Sequence, residues 1–314
     1  MALIIWLQAL EPRVLLRVVF ASISWCGDGP LYFVLFPLLY WRKAPAIAIR
    51  YGYLVGVAVL VLAVLKAQTA TLRPFLAAPG QVAFLPYSLA GFSWFPNRDA
   101  LIDAYRHSAS FPSGHALCAT AVGLYLYAHT ASGWGRTVWV AFVVLVPLAR
   151  LYLGVHYPLD VLGGGGLGVL LFLLATRLRV DTLATRLAPW GVSGWYGRLL
   201  LVGLLSLMLG MLAKAAVVVF VMFLSYPMIL RGMATRIAAF AQPHNDAWRL
   251  YNAVLGCLGV GGMVWAAAPL RNSGLLVSVP LITIWVTLGC PLLVETLCPT
   301  GGGSGGEAPP STEC

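Results

Sequence analysis

Apolar runs of about twenty residues alternate with short stretches that hold nearly all the charge of this chain. The runs lie near 22–41, 46–66, 114–130, 137–154 and 158–176, with later ones near 199–220, 250–268 and 275–297. Each is long enough to cross a bilayer as a helix. The pattern predicts an all-α fold, a polytopic transmembrane helical bundle of about eight spans. Residues 1–21 read differently. Glu11, Pro12, Arg13 and Arg17 sit among Leu, Ile, Val and Trp, and charges at the centre of a span are costly. An interfacial amphipathic segment is expected there.

Polar stretches set the boundaries. Gly27, Asp28, Gly29 and Pro30 break the chain. The stretch 67–112 is too polar and Pro-rich to span, and it carries Trp94, Arg98, Tyr105 and Arg106. Segment 220–249 fits a partly buried hairpin or an amphipathic loop. From Gly301 the composition is that of a flexible linker, so 301–314 is expected to be disordered. Four parts follow: the segment 1–21, a core over 22–176, further spans over 177–300, and the tail.

Composition agrees with a membrane protein. Apolar residues make up 60% of 314 and mean hydropathy is +0.87. Soluble domains hold about 45–50% apolar residues. The net charge of +10 does not point to nucleic acid, because the basic residues cluster between apolar runs, as topology signals and headgroup contacts do. Six cysteines show no CxxC pair and no metal-ligand spacing. They read as small helix residues, with Cys314 on the tail open to reaction. The N-terminus lacks the basic start and cleavage site of a signal peptide.

With charged residues at only 10%, three clusters stand out. They are Lys66 to Pro74, Pro112 to His115, and Arg150 to Asp160. Arg73 and Arg150 offer planar forks for phosphate oxygens, and Lys66 offers a point charge. If the second helix continues to about residue 72, Lys66 and Arg73 share a face two turns apart. Pro74 then turns the chain. Ser113 suits a helix N-cap, and Gly114 allows close approach. The N–H groups of Ser113, Gly114 and His115 would then point at an anion. Pro158 fits the first position of a new helix, which puts His156 on a turn and Asp160 in the first helical turn. Asp160 can accept a proton from His156 and free the other ring nitrogen to attack.

The clusters also agree in sidedness. The first follows the second run, the second opens the third run, and the third joins the fourth run to the fifth. All three therefore fall on one membrane face. Arg42, Lys43, Arg136, Arg177, Arg179, Arg186 and Arg198 fall on the other, which the positive-inside rule makes cytoplasmic. The site is expected to face the periplasm or another non-cytosolic space.

These residues resemble the three-part signature KX6RP–PSGH–SRX5HX3D of the type 2 phosphatidic acid phosphatase superfamily. Lys66, Arg73 and Pro74 match the first part. Pro112, Ser113, Gly114 and His115 match the second, and Arg150, His156 and Asp160 match the third. Ala149 stands where the family usually has Ser, which removes a supporting hydroxyl. The resemblance covers roughly residues 25–175. It implies that His156 is the nucleophile and forms a phosphohistidine, that His115 is the general acid, and that Asp160 orients His156. Lys66, Arg73, Ser113, Gly114 and Arg150 would bind the substrate. No metal or cofactor is implied. The substrate class would be a lipid-linked phosphate or diphosphate, such as undecaprenyl diphosphate, phosphatidic acid, phosphatidylglycerol phosphate or a sphingoid phosphate.

Rival readings keep part of this inventory. Extra spans, the stretch 31–41 and the segment 241–248 are faintly similar to the glucose-6-phosphatase branch, whose substrate is a soluble sugar phosphate. Asp160 points back to the lipid group. Vanadate-dependent haloperoxidases share the anion site but are largely soluble. A non-enzymatic scaffold leaves the membrane-edge charges without a use. His107, His129 and His244 read as structural histidines, and Gly163 to Gly166 as a close helix contact. Arg98 and Arg106 read as solvated loop residues, and Trp94, Trp134 and Trp139 as an interfacial belt.

Overall fold

The computed structural model describes residues 1–42, 45–85 and 98–177, with residues 251, 254–259, 262, 285, 290 and 293 beyond them. The segments expected to span near 199–220 and 275–297, the ambiguous 220–249 and the tail lie wholly or mostly outside the described residues. Among those residues the protein is helical, without strands. Nine helices are described: α1 (Ala2–Gln8), α2 (Arg13–Cys26), α3 (Gly29–Arg42), α4 (Pro45–Gln68), α5 (Pro74–Ala77), α6 (Arg98–Arg106), α7 (Gly114–Ala128), α8 (Gly133–Tyr152) and α9 (Pro158–Arg177). Three are long and apolar enough to cross a membrane: Arg50–Gln68 within α4, and all of α8 and α9. The apolar α7 is shorter.

Two compact units are present. One comprises Met1–Tyr32 and Arg50–Val221, and the other Phe33–Ile49 and Met222–Cys314. In the second unit Trp285 donates from Nε1 to the Gly256 carbonyl at 3.3 Å. The first unit holds every residue of the three clusters.

Helix α7 is its centre. Ala116 to Val122 are all buried, as are Tyr125 and Leu126. Small residues let α9 press against it. A Cβ on Gly164 would lie 2.4 Å from the Ser113 carbonyl oxygen, and one on Gly168 would lie 2.6 Å from that of Leu117. Close backbone approach of this kind is how membrane helices gain packing without a hydrophobic drive. Within the glycine run Gly164 meets the start of α7 and Gly163 meets the Phe111 ring just before it, while a Cβ on Gly166 would meet open space. Helix α8 covers another side of α7, and α2 crosses α8.

The N-terminal region differs from expectation. Helix α2 runs through residue 21 without a break, and the 22–41 run is two helices that meet at Gly27 and Asp28. The polar turn breaks the helix where a continuous span would have carried a carboxylate in lipid. One face of helix α1 packs into protein, while Leu3, Ile5 and Trp6 are exposed. Ile4 and Leu7 are buried with Phe75, Val82, Phe84, Tyr152 and Val155. Gln8 clamps this cluster, donating to the carbonyls of Ala83 (2.9 Å) and Tyr152 (2.8 Å) and accepting from the Ala83 N–H (3.0 Å). This cluster lies directly under the turn that carries His156.

Candidate active site

The starts of α7 and α9 and the ends of α4 and α8 meet at one end of the first unit. Ser113 caps α7, its Oγ accepting from the Ala116 N–H at 3.4 Å. Its own N–H donates to the main-chain oxygen of Asp160 at 3.0 Å. That bond ties the two helix starts together. It also corrects the expectation that the Ser113 N–H points at an anion, since this donor is already used. The N–H groups of Gly114 and His115 open the first turn of α7.

Helix α4 ends at Gln68, so Lys66 and Arg73 do not share a helix face. Thr69 turns its hydroxyl back to the Leu65 carbonyl (3.2 Å) and across to the Phe111 carbonyl (2.8 Å). Thr71 accepts the Phe111 N–H at 2.9 Å. The chain leaves the helix to bind the strip before α7 instead. Arg73 is extended, as a residue before proline should be, and caps α5. Lys66 reaches the site from the helix end, its Nζ donating to the Ala109 carbonyl.

Arg73 and Arg150 are 3% and 1% exposed. A buried guanidinium needs partners, and neutral groups supply most of them here. Arg73 donates from Nη1 to the Val155 carbonyl at 3.1 Å and from Nη2 to Ser108 Oγ at 3.4 Å. Arg150 donates from Nη1 to Ser24 Oγ at 2.5 Å and from Nη2 to Tyr105 Oη at 3.0 Å. Tyr105 also places its ring 4.0 Å from the Arg73 Cζ. One tyrosine thus steadies both forks, and Phe75 and Phe84 pack edge-on against it. The hydroxyl lost at the buried Ala149 has counterparts here in those of Ser24 and Tyr105 beside Arg150.

His156 follows a tight turn in which Gly154 takes φ +73, a conformation other residues rarely adopt. Its Nε2 lies 3.3 Å from Arg73 Nη1. Its Nδ1 lies 3.5 Å from Asp160 Oδ2 and 3.5 Å from Ser110 Oγ. Ser110 donates to Asp160 Oδ2 at 2.5 Å, and the Tyr157 N–H donates to the same oxygen at 2.8 Å. The expected direct bond between His156 and Asp160 is therefore long, and Ser110 stands beside it. His156 is held well below the usual imidazole range, first by burial and then by the charges of Arg73, Arg150, Lys66 and His115. Burial and these charges favour the neutral ring. His115 sits at the start of α7 with Nε2 2.8 Å from Asp28 Oδ1.

All eight residues singled out from the sequence come together here. Ser24, Asp28, Tyr105 and Ser110 join them. The signal for Ser24 and Asp28 was polarity within an apolar run; Tyr105 was named only as part of the polar 67–112 stretch, and Ser110 lay unmarked in it. Among the described residues no cluster of three His, Cys, Asp or Glu side chains is placed to hold a metal ion.

Residues 47–183 match the PAP2 superfamily. Three curated relatives overlap the chain in part. The bacitracin transport permease protein BcrC of Bacillus licheniformis is 38% identical over 80 residues, 25% of this chain and 37% of that protein. Phosphatidylglycerophosphatase B of Bacillus subtilis is 42% identical over 79 residues, 22% of this chain and 39% of its own length. An undecaprenyl-diphosphatase of Sulfolobus acidocaldarius is 37% identical over 86 residues, 27% of this chain and 40% of its own. The chain thus spans about two fifths of the length of the curated relatives it matches. No solved structure matches it. The PAP2 match begins after α2 and α3, so Ser24 and Asp28 reach the site from outside the matched residues.

Proposed function

We propose that this protein is an integral-membrane phosphatase that hydrolyses a lipid-linked phosphate or diphosphate through a phosphohistidine, without a metal, at a non-cytosolic membrane face. The observation that carries the reading is the pairing of a buried, neutral His156 with the guanidinium of Arg73 inside the residues that match the PAP2 superfamily. Two of the relatives are named for phosphatidylglycerophosphate and undecaprenyl diphosphate, both lipid-linked.

In this mechanism Arg73, Arg150 and Lys66 neutralise the phosphoryl oxygens, with the N–H groups at the start of α7. His156 Nε2 attacks phosphorus in line. Asp160, steadied by Ser110 and the Tyr157 N–H, stabilises the charge that develops on the ring. His115 protonates the leaving oxygen. Water then cleaves the P–N bond. The lipid tail stays in the bilayer while the headgroup meets the charged end of the unit. Arg136 and Arg177, at the start of α8 and the end of α9, support a cytoplasmic assignment for the opposite end. Of the two segments behind the sugar-phosphate alternative, 31–41 lies in α3 and 241–248 lies outside the described residues.

The test is phosphate release by the purified protein with a chelator present. Phosphatidic acid, phosphatidylglycerol phosphate and undecaprenyl diphosphate should be cleaved, and glucose 6-phosphate should not. Preferential cleavage of glucose 6-phosphate, or activity that requires added magnesium, would overturn this reading.

A further inference from the structure

The turn between α2 and α3 enters the site from outside the residues that match the PAP2 superfamily and meets His115. Asp28 Oδ1 lies 2.8 Å from His115 Nε2, with side chains 24% and 18% exposed. Gly27 makes the approach possible. A Cβ there would lie 3.1 Å from His115 Cδ2 and 2.5 Å from Val146 Cγ1, so the turn is pressed flat against both. The turn is also fixed by main-chain bonds from Gly27 to the Ser24 carbonyl (2.9 Å) and from Asp28 to the Trp25 carbonyl (3.0 Å). Ser24, one turn earlier, holds Arg150. Helix α2 thus delivers one polar side chain to a binding fork and another to a histidine.

The electrostatic setting gives Asp28 a purpose. His115 shares its surroundings with Arg150, Arg73 and His156. A protonated imidazole among guanidinium groups is unfavourable unless a carboxylate faces it. Asp160 is engaged by Ser110, the Tyr157 N–H and His156. Asp28 is the carboxylate at His115.

We propose that Asp28 is the positioning residue for the leaving-group proton donor. Its Oδ1 lies at ion-pair distance from His115 Nε2, without an aligned hydrogen bond, and stabilises the protonated ring, so that the Nδ1 proton goes to the departing oxygen. The inference rests on the phosphatase reading above. As the bond from His156 Nε2 to phosphorus forms, the P–O bond breaks. The leaving oxygen keeps that electron pair and takes the Nδ1 proton. Neutral His115 then accepts a proton from the water that attacks phosphorus, the P–N bond breaks, and His156 and phosphate are regenerated. Asp28 stays ionised throughout.

The experiment compares two substrates in the full-length protein, an alkyl phosphate and a nitrophenyl phosphate whose leaving group needs no proton. Asp28→Asn should lower kcat on the alkyl phosphate by about 10–100-fold, with KM unchanged and a loss below about threefold on the nitrophenyl ester. Asp28→Glu should restore most of the alkyl activity. Vanadate affinity should match wild type in both variants, which reports an intact fold and anion grip. An equal loss on both substrates, or no loss on either, would overturn the proposal if His115→Ala still shows the leaving-group selectivity. A wild-type protein that releases phosphate from neither ester nor from any lipid phosphate would instead overturn the phosphatase reading, and this inference with it.

Discussion

Arg73 Nη1 stands 3.3 Å from His156 Nε2, so the fork that would grip the phosphate faces the nitrogen that would attack it. The two groups come from different segments, Arg73 from the stretch before α5 and His156 from the turn before α9. Arg73 is held extended by Pro74, and His156 is held by the turn at Gly154. Val155 bridges them, its carbonyl accepting from Arg73 at 3.1 Å. Any displacement of one moves the other.

Arg73→Lys should therefore cost far more than a conserved charge implies. A lysine lacks the second donor and the flat face that lies over Tyr105. A loss of about 10²–10³-fold in kcat/KM is expected, with weaker vanadate binding measured by inhibition. Tyr105→Phe should do less, since it keeps the ring under Arg73 and removes only the acceptor for Arg150. A loss of about 1.5–3 kcal/mol in vanadate binding is the expected scale.

The depressed proton affinity of His156 fixes a pH dependence. The ring stays neutral in the folded protein below the ordinary value of 6.5. The acid limb of kcat/KM assigned to it should lie below pH 6.5. Lys66→Met removes one repelling charge, so the limb should move upward toward 6.5 relative to wild type on the same substrate. Stability follows the same sign. Above pH 6.5 the ring is neutral in both folded and unfolded chains. As pH falls, the unfolded chain takes the proton first, so this contribution to stability is lost on acidification.

Much of the site was legible because the chemistry demands rare groups in an apolar chain. Eight charged, polar or glycine positions in three clusters could be placed at one membrane edge by counting runs. What failed was local geometry decided by tertiary partners. The helix ending at Gln68 reflects Thr69 and Thr71, which exchange helical bonds for bonds to Phe111. The Ser113 N–H is taken by Asp160, a partner that exists only once α9 packs on α7 through Gly164. Asp28 read as part of a chain break, and Ser24 went unnamed in the 22–41 run, because nothing in spacing relates them to His115 or Arg150.

Ser110 is the sharpest addition to that list. Its hydroxyl bonds Asp160 Oδ2 and lies within 3.5 Å of His156 Nδ1. Ser110→Ala removes one of the donors to a buried carboxylate, a change worth about 1–3 kcal/mol. Expected is a fall in kcat of about 10–100-fold at nearly constant KM, because the developing charge on His156 is less well met. Ser110→Thr keeps the hydroxyl and should retain most activity. Steady-state kinetics on one lipid phosphate checks both variants.

The central claim is that His156 carries the phosphoryl group. Protein mixed with substrate labelled in the scissile phosphate, then quenched in alkali, should hold label that survives base and is lost in acid. Peptide mapping should place it on His156. His156→Ala should show no label and less than about a tenth of wild-type turnover, while vanadate still binds at the cationic pocket. Full turnover by His156→Ala, or stable label on any other residue, would contradict the account.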